Sequence, residues 1–184
     1  FRKNYYSQNG EDGIIEKLLA ELGIETGFFV EFGAWDGKHW SNTFHLIGKQ
    51  WSGCLIEGNT QKFAELCRNV PADKIIKVNA WIKPRGANSL DEVLRRHGVA
   101  HVDLLSIDID SDDLSIWDGV ELYSPIIVII EYNPTIPFDT RYRNPVGAFH
   151  GNSALSILEL ATERSYILVL SLIHISEPTR QAEI

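Results

Sequence analysis

The sequence predicts an α/β protein with a Rossmann-like, mostly parallel sheet that carries helices on both faces. Short apolar segments of strand length alternate with segments whose apolar residues recur at helical spacing, which predicts right-handed βαβ crossovers. A run of mostly β-branched residues at 125–131 is typical of a strand in the centre of such a sheet. A glycine-rich segment follows the first predicted strand, where folds of this class bind ligands.

The predicted elements follow one another in a regular order along the chain. Strands are expected at residues 28–32, 54–57, 75–78, 102–109, 125–131 and 166–170. Helices are expected around Ile14, Phe63, Leu90, Leu114 and Ala154, where apolar residues recur three and four positions apart. Residues 133–149 contain three prolines and are predicted to form a loop.

The length of 184 residues fits a single domain, which we place at residues 1–170. Residues 171–184 resemble translated sequencing-adapter sequence, and we expect this tail to be non-native. The domain would then be truncated before the last strand of its sheet.

Composition excludes several classes of partner. The chain has 17 basic and 25 acidic residues, a net charge of −8, which argues against nucleic acid and against an anionic membrane surface. The strongest apolar run, residues 126–130, is far shorter than the roughly 18 residues of a membrane span. The two cysteines, Cys54 and Cys67, form no CxxC motif and are expected to be buried thiols in a reducing, cytoplasmic compartment.

The loop after the first strand has the composition of a cofactor-binding turn. It reads Glu31-Phe-Gly-Ala-Trp-Asp-Gly37 and lacks the third glycine of a dinucleotide fingerprint. The carboxylates of Glu31 and Asp36 would repel a pyrophosphate but suit an ammonium group and a sulfonium centre, as in S-adenosylmethionine. Gly33 would let the cofactor approach the backbone. The alternative is a structural turn that uses its glycines for tight geometry.

Glu57 ends the second predicted strand, 24 residues after Gly33. An acid at about this distance accepts both ribose hydroxyls of a cofactor in the dinucleotide fold, and the same logic applies here. The alternative is an exposed glutamate at a strand end.

Oxygen-bearing side chains also follow the fourth and fifth strands. Asp108, Asp110, Glu131 and Asn133 could together hold Mg²⁺ or Ca²⁺. Without a metal, a hydroxyl acceptor needs a general base, for which Asp108, Glu131 and His150 are candidates.

Other residues near these strand ends are expected to be structural. Asp112 or Asp113 is predicted to cap the following helix. Trp117 and Phe149 are expected in the core, and His39 and His45 are expected to be structural.

Taken together, these motifs resemble the FkbM-type family of class I S-adenosylmethionine-dependent methyltransferases. The similar segments are residues 5–12, 31–37, 41–43, 54–57, 107–110 and 130–133, within a match over about residues 5–170. The resemblance implies methyl transfer, commonly to a hydroxyl of a small molecule or sugar, and does not demand a metal. Cofactor-binding residues implied by position are Gln8, Glu31, Gly33, Ala34, Asp36, Gly37, Glu57, Asn79, Ala80 and Asp108, with Trp81 over the adenine.

One motif departs from the family pattern. Many relatives have Asp-x-Glu-Gly after the fourth strand, where this chain has Asp108-Ile-Asp110-Ser111. Two other classes stay open: a non-catalytic S-adenosylmethionine-binding domain of a larger protein, and a nicotinamide-dependent oxidoreductase. The oxidoreductase is disfavoured by the missing glycine and by Asp36.

Overall fold

The computed structural model describes residues 3–71, 73–109 and 111–171, and it contains one five-stranded, wholly parallel sheet. The strands are β1 (Phe28–Phe32), β2 (Ser52–Glu57), β3 (Ile75–Asn79), β4 (Leu104–Ile107) and β5 (Ile127–Ile130). The helices are α1 (Glu11–Glu21), α2 (Phe44–Ile47), α3 (Thr60–Asn69), α4 (Leu90–Arg96), α5 (Asp113–Asp118) and α6 (Ala154–Glu163). The predicted α/β, Rossmann-like arrangement is confirmed.

The strand order β3-β2-β1-β4-β5 reverses at β1. The chain builds outward from β1 to β3 and then crosses back, so that β4 lies on the other side of β1. In the register, Phe32 pairs with Ile56 of β2 and with Ile107 of β4. The carboxyl ends of these central strands therefore lie side by side at the topological switch point, where ligands bind in this class of fold.

The inner strands are apolar because both faces of the sheet are covered. Val30 and Ile56 pack into the larger hydrophobic cluster, whereas Phe29 and Leu55, one position away on each strand, pack into the cluster on the opposite face. Burial on both faces explains why the strands lack a polar alternation. No described helix combines the length and the apolar composition that crossing a membrane requires.

The far side of the sheet differs from the sequence prediction. β5 was expected in the centre, but it forms one edge of the described sheet, and all its side chains are half-buried. Residues 166–170 form no strand, and the apolar side chains of Ile167–Leu170 are 51–84% exposed. A β-branched run favours extended backbone, but its place in the sheet depends on non-local pairing.

Burial predictions were correct for two residues and wrong for two others. Trp117 and Cys54 are buried, and burial raises the pKa of the Cys54 thiol to about 12. Cys67 lies on the solvent side of α3 and is exposed. Phe149, in the loop after β5, is 84% exposed. The proposed non-native tail lies outside the described residues apart from Ser171.

Candidate functional site

Gly33 and Asp108 meet at the switch point, one at the end of β1 and the other at the end of β4. Gly33 has a φ of 78°, and a Cβ on it would lie 1.7 Å from the carbonyl oxygen of Asp108. Glycine is therefore required here because the neighbouring strand end fills the space beside its Cα. That Gly33 also lets the cofactor approach the backbone stays a prediction.

Glu57 links the loops that follow β1 and β2. Its side chain is buried, its Oε2 accepts a hydrogen bond from the amide of Trp35 at 2.8 Å, and its Oε1 accepts one from the amide of Asn59 at 2.6 Å. A carboxylate has about four acceptor positions, so two remain for further donors. Glu57 is thus a preorganised acceptor, and the alternative of an exposed strand-end glutamate is wrong.

Glu31 was expected to contact the cofactor, and in the structure its carboxylate binds residues 41–43. Its carboxylate accepts hydrogen bonds from the hydroxyls of Ser41 and Thr43 and from the amide of Asn42, at 2.9 Å for the amide. Burial raises the pKa of Glu31, and these hydrogen bonds only partly oppose that effect. The described contacts make it a residue that holds segment 41–43 in place.

The Asp36 carboxylate binds groups within its own loop. It accepts hydrogen bonds from the amides of Lys38 and His39 and from the His39 ring. Burial acts to raise the pKa of Asp36, but the His39 and amide hydrogen bonds outweigh it and lower the pKa. Gly37, with a φ of 76°, packs against Leu66 and Val70 of α3 and its end. These contacts support the structural role expected for His39.

A groove runs along the ends of β2 and β3 beside Glu57. The Trp81 indole packs so closely on Gly58 that a Cβ there would lie 2.3 Å from the ring. The side-chain Nδ2 of Asn79 donates to the Glu57 carbonyl at 2.7 Å, and the backbone amide of Ala80 donates to the same carbonyl at 3.2 Å. The groove has a volume of about 690 Å³, and the exposed Trp81 ring forms one side of it.

The amino-terminal motif, residues 5–12, has a structural role in which Asp12 binds the residues before α1. Asp12 is fully buried, and one of its oxygens accepts the amides of Tyr5, Tyr6 and Ser7 at 2.7–3.2 Å. The aspartate therefore fastens the segment before α1 to the start of that helix. Gln8, the implied cofactor ligand in this motif, is exposed.

The acidic residues after β4 organise their own loop. The Asp113 carboxylate accepts from the amides of Ile109 and Ser111, while Asp112 accepts from the amide of Gly147. Asp112 occupies the N-cap position of α5, as predicted for one of these two aspartates, but its side chain makes no cap hydrogen bond there. These carboxylates thereby satisfy backbone amides of the loops around them.

Two of the candidate bases follow neighbouring strands. Ile107 pairs with Ile130 in the sheet, so Asp108 and Glu131 leave adjacent strand ends, and both are exposed. Asp110, the other predicted metal ligand, lies outside the described residues. Among the residues that the structure does describe, no three carboxylate, histidine or cysteine side chains converge as a metal site.

The loop after β5 is more ordered than its prolines suggested. The Asn144 side chain donates to the carbonyls of Ser111 and Ala148 at 2.9 and 2.7 Å and accepts from the His150 amide at 3.2 Å. Asn133 holds the His150 carbonyl at 2.7 Å. The third candidate base, His150, is thereby carried on a loop that is fastened to the end of β4, and its side chain is exposed.

Sequence reasoning missed an aromatic pair in the loop after β1. Trp35 and Trp40 have φ values of 49° and 58°, a region that costs a non-glycine residue roughly 1–2 kcal/mol. Their indoles are 49% and 61% exposed, with ring centroids 6.1 Å apart. The Lys62 ammonium lies 4.6 Å from the Trp35 ring centroid. The sequence signal for this pair is the presence of two tryptophans in one glycine-rich turn, because a turn that tight cannot bury two indole side chains.

Comparisons of the chain with models of known protein families, with curated proteins and with solved structures give no match. The fold defines the class of protein as a Rossmann-like α/β domain.

Proposed function

We propose that this chain is an S-adenosylmethionine-dependent methyltransferase that methylates a hydroxyl of a small molecule or sugar. The observation that carries the proposal is Glu57, a buried carboxylate at the switch point that keeps acceptor positions after binding the amides of Trp35 and Asn59. Such a carboxylate suits a ribose with two adjacent hydroxyls. Trp81 and Asn79, which line the neighbouring groove, suit an adenine.

The loop after β1 favours this cofactor over a dinucleotide. A pyrophosphate needs free amides at a helix N-terminus directly after the glycine-rich turn. Here α2 begins only at Phe44 and is four residues long, and the amides of Trp35, Lys38 and His39 are bound by carboxylates. The nicotinamide alternative therefore has little support.

When bound, the cofactor supplies an activated methyl group on a sulfonium. With the cofactor bound, the C–S bond would break as a C–O bond forms to the acceptor, and the hydroxyl proton would pass to a base. Asp108 is our candidate for that base, since it is exposed at the switch point next to Gly33. Glu131 lies at the adjacent strand end and His150 on the loop above, where either could orient the acceptor.

Two experiments test the proposal with the chain as it stands. Isothermal titration should show binding of S-adenosylmethionine and S-adenosylhomocysteine but not of NAD. A methyl-transfer assay over a panel of hydroxylated acceptors should then detect turnover. Binding of NAD alone would contradict the proposal, and cofactor binding without transfer to any acceptor would favour the non-catalytic alternative.

A further inference from the structure

We propose that Trp35 and Trp40 form a platform that stacks on the sugar ring of a carbohydrate acceptor. The inference rests on the proposed function, because it identifies the acceptor class of that same site. Two large aromatic side chains stand here on left-handed backbone, are 49% and 61% exposed, and lie with ring centroids 6.1 Å apart and ring planes tilted by 58°. Neither the backbone nor the burial favours tryptophan at these positions, so ligand binding is the role that fits.

The pair is joined directly to the candidate cofactor site. The amide of Trp35 donates to Glu57, so the same residue that orients the proposed ribose acceptor carries one of the two indoles. Trp40 immediately precedes segment 41–43, in which the hydroxyls of Ser41 and Thr43 donate hydrogen bonds to the Glu31 carboxylate. Both indoles therefore stand on turns that buried carboxylates fix in place.

The surroundings of the pair favour a sugar over an apolar ligand. The face of an indole is electron-rich and attracts the partly positive C–H groups of a sugar ring. Lys38 and His39 stand between the two tryptophans in the sequence and are exposed, and the Lys62 ammonium lies over the Trp35 ring, so N–H donors accompany the aromatic pair in the same loop and beside one of its rings. An apolar ligand instead needs an enclosed, mostly apolar pocket, whereas this pair is open to solvent.

The test is a titration of the chain with the methyl glycosides of glucose, galactose and fucose, and with 1-naphthol as an apolar probe. Tryptophan fluorescence and calorimetry should both detect binding of at least one glycoside. Trp35→Asn and Trp40→Asn keep a residue that tolerates positive φ, and each should weaken glycoside binding about tenfold. The matched control Leu122→Asn, which also replaces an exposed apolar residue, should bind like the wild type.

The proposal is overturned if no glycoside binds, if only 1-naphthol binds, or if both asparagine variants bind glycoside as tightly as the wild type. Titration of the same samples with S-adenosylmethionine separates the two proposals. Cofactor binding without glycoside binding overturns the platform alone. Glycoside binding that depends on Trp35 and Trp40, in a chain that does not bind the cofactor, supports the platform and contradicts the methyltransferase.

Discussion

The Oε2 atom of Glu57 accepts a hydrogen bond from the amide of Trp35 at 2.8 Å, which fixes the end of β2 to the loop after β1. The other oxygen binds the Asn59 amide, just before α3. Two loops that contribute to the candidate site are thus oriented by one carboxylate. Its loss should affect ligand binding and local stability together, and the two effects can be measured separately.

Glu57→Ala should weaken S-adenosylmethionine binding by about 10- to 150-fold. The ribose hydroxyls would lose a charged acceptor, which is worth about 1.5–3 kcal/mol. Isothermal titration measures the affinity, and denaturant unfolding checks that the variant is folded. Glu57→Gln, which keeps one acceptor oxygen, should lose less affinity, and Glu21→Ala, at an exposed position of α1, is the matched control. Wild-type affinity in a folded Glu57→Ala chain would refute the ribose assignment.

Gly33→Ala should lower the free energy of unfolding by about 2–5 kcal/mol. The new Cβ would meet the Asp108 carbonyl at 1.7 Å, and the overpacking adds to the penalty of a positive φ. Gly23→Ala is the matched control, because Gly23 has a φ of 68° and nothing within 4 Å of its Cβ position. That variant should lose only about 1–2 kcal/mol in urea denaturation. Equal losses in the two variants would show that the contact with Asp108 is not tight.

Much of the fold could be predicted from the sequence because it depends on local pattern. The first four strands and the helices α1, α3, α4, α5 and α6 lie where the sequence pattern predicted them. The position of β5 and the fate of residues 166–170 could not be predicted, because strand pairing is non-local. An apolar run has the same composition at an edge and at the centre.

The candidate site was predicted in its location but not in its detail. The sequence placed Glu31 and Glu57 at strand ends and Asp36 in the loop between them, but it did not show that the Glu31 carboxylate binds segment 41–43 or that the Asp36 carboxylate binds its own loop, whereas the Glu57 carboxylate joins the two loops of the site. The direction of a carboxylate in a glycine-rich turn depends on which residues take positive φ, and here Trp35 does so as well as Gly37. A sequence pattern assigns that conformation to glycine and not to tryptophan.

Glu31 should make stability fall as pH rises above 4.5, the usual pKa of a glutamate. Burial raises its folded-state pKa, so the folded chain binds more protons between the unfolded and folded pKa values, and stability is lost across that window. The slope is at most about 1.4 kcal/mol per pH unit. His45, whose pKa is lowered by burial, acts in the opposite direction near its usual value of 6.5.

The measurement is the difference in unfolding free energy between the wild type and Glu31→Gln across this range. Both chains contain His45, so its contribution cancels, and the pH-dependent difference belongs to Glu31. Asp12 has a lowered pKa, since its hydrogen bonds outweigh burial, and its effect is confined to pH below about 3.8. Parallel stability curves for the two chains would contradict the assignment.

Asp108→Asn should lower methyl transfer at least about 100-fold while cofactor affinity stays unchanged, because a general base acts only on the acceptor proton. The wild type should retain activity in EDTA, and its pH–rate profile should show one ionisation on the acid limb. Asp73→Asn, at an exposed position before β3, should leave turnover unchanged. Activity lost in EDTA and restored by Mg²⁺ would show that the carboxylates at these strand ends hold a metal. Full turnover in Asp108→Asn would exclude Asp108 from both roles, and Glu131 and His150 would then be the bases to test.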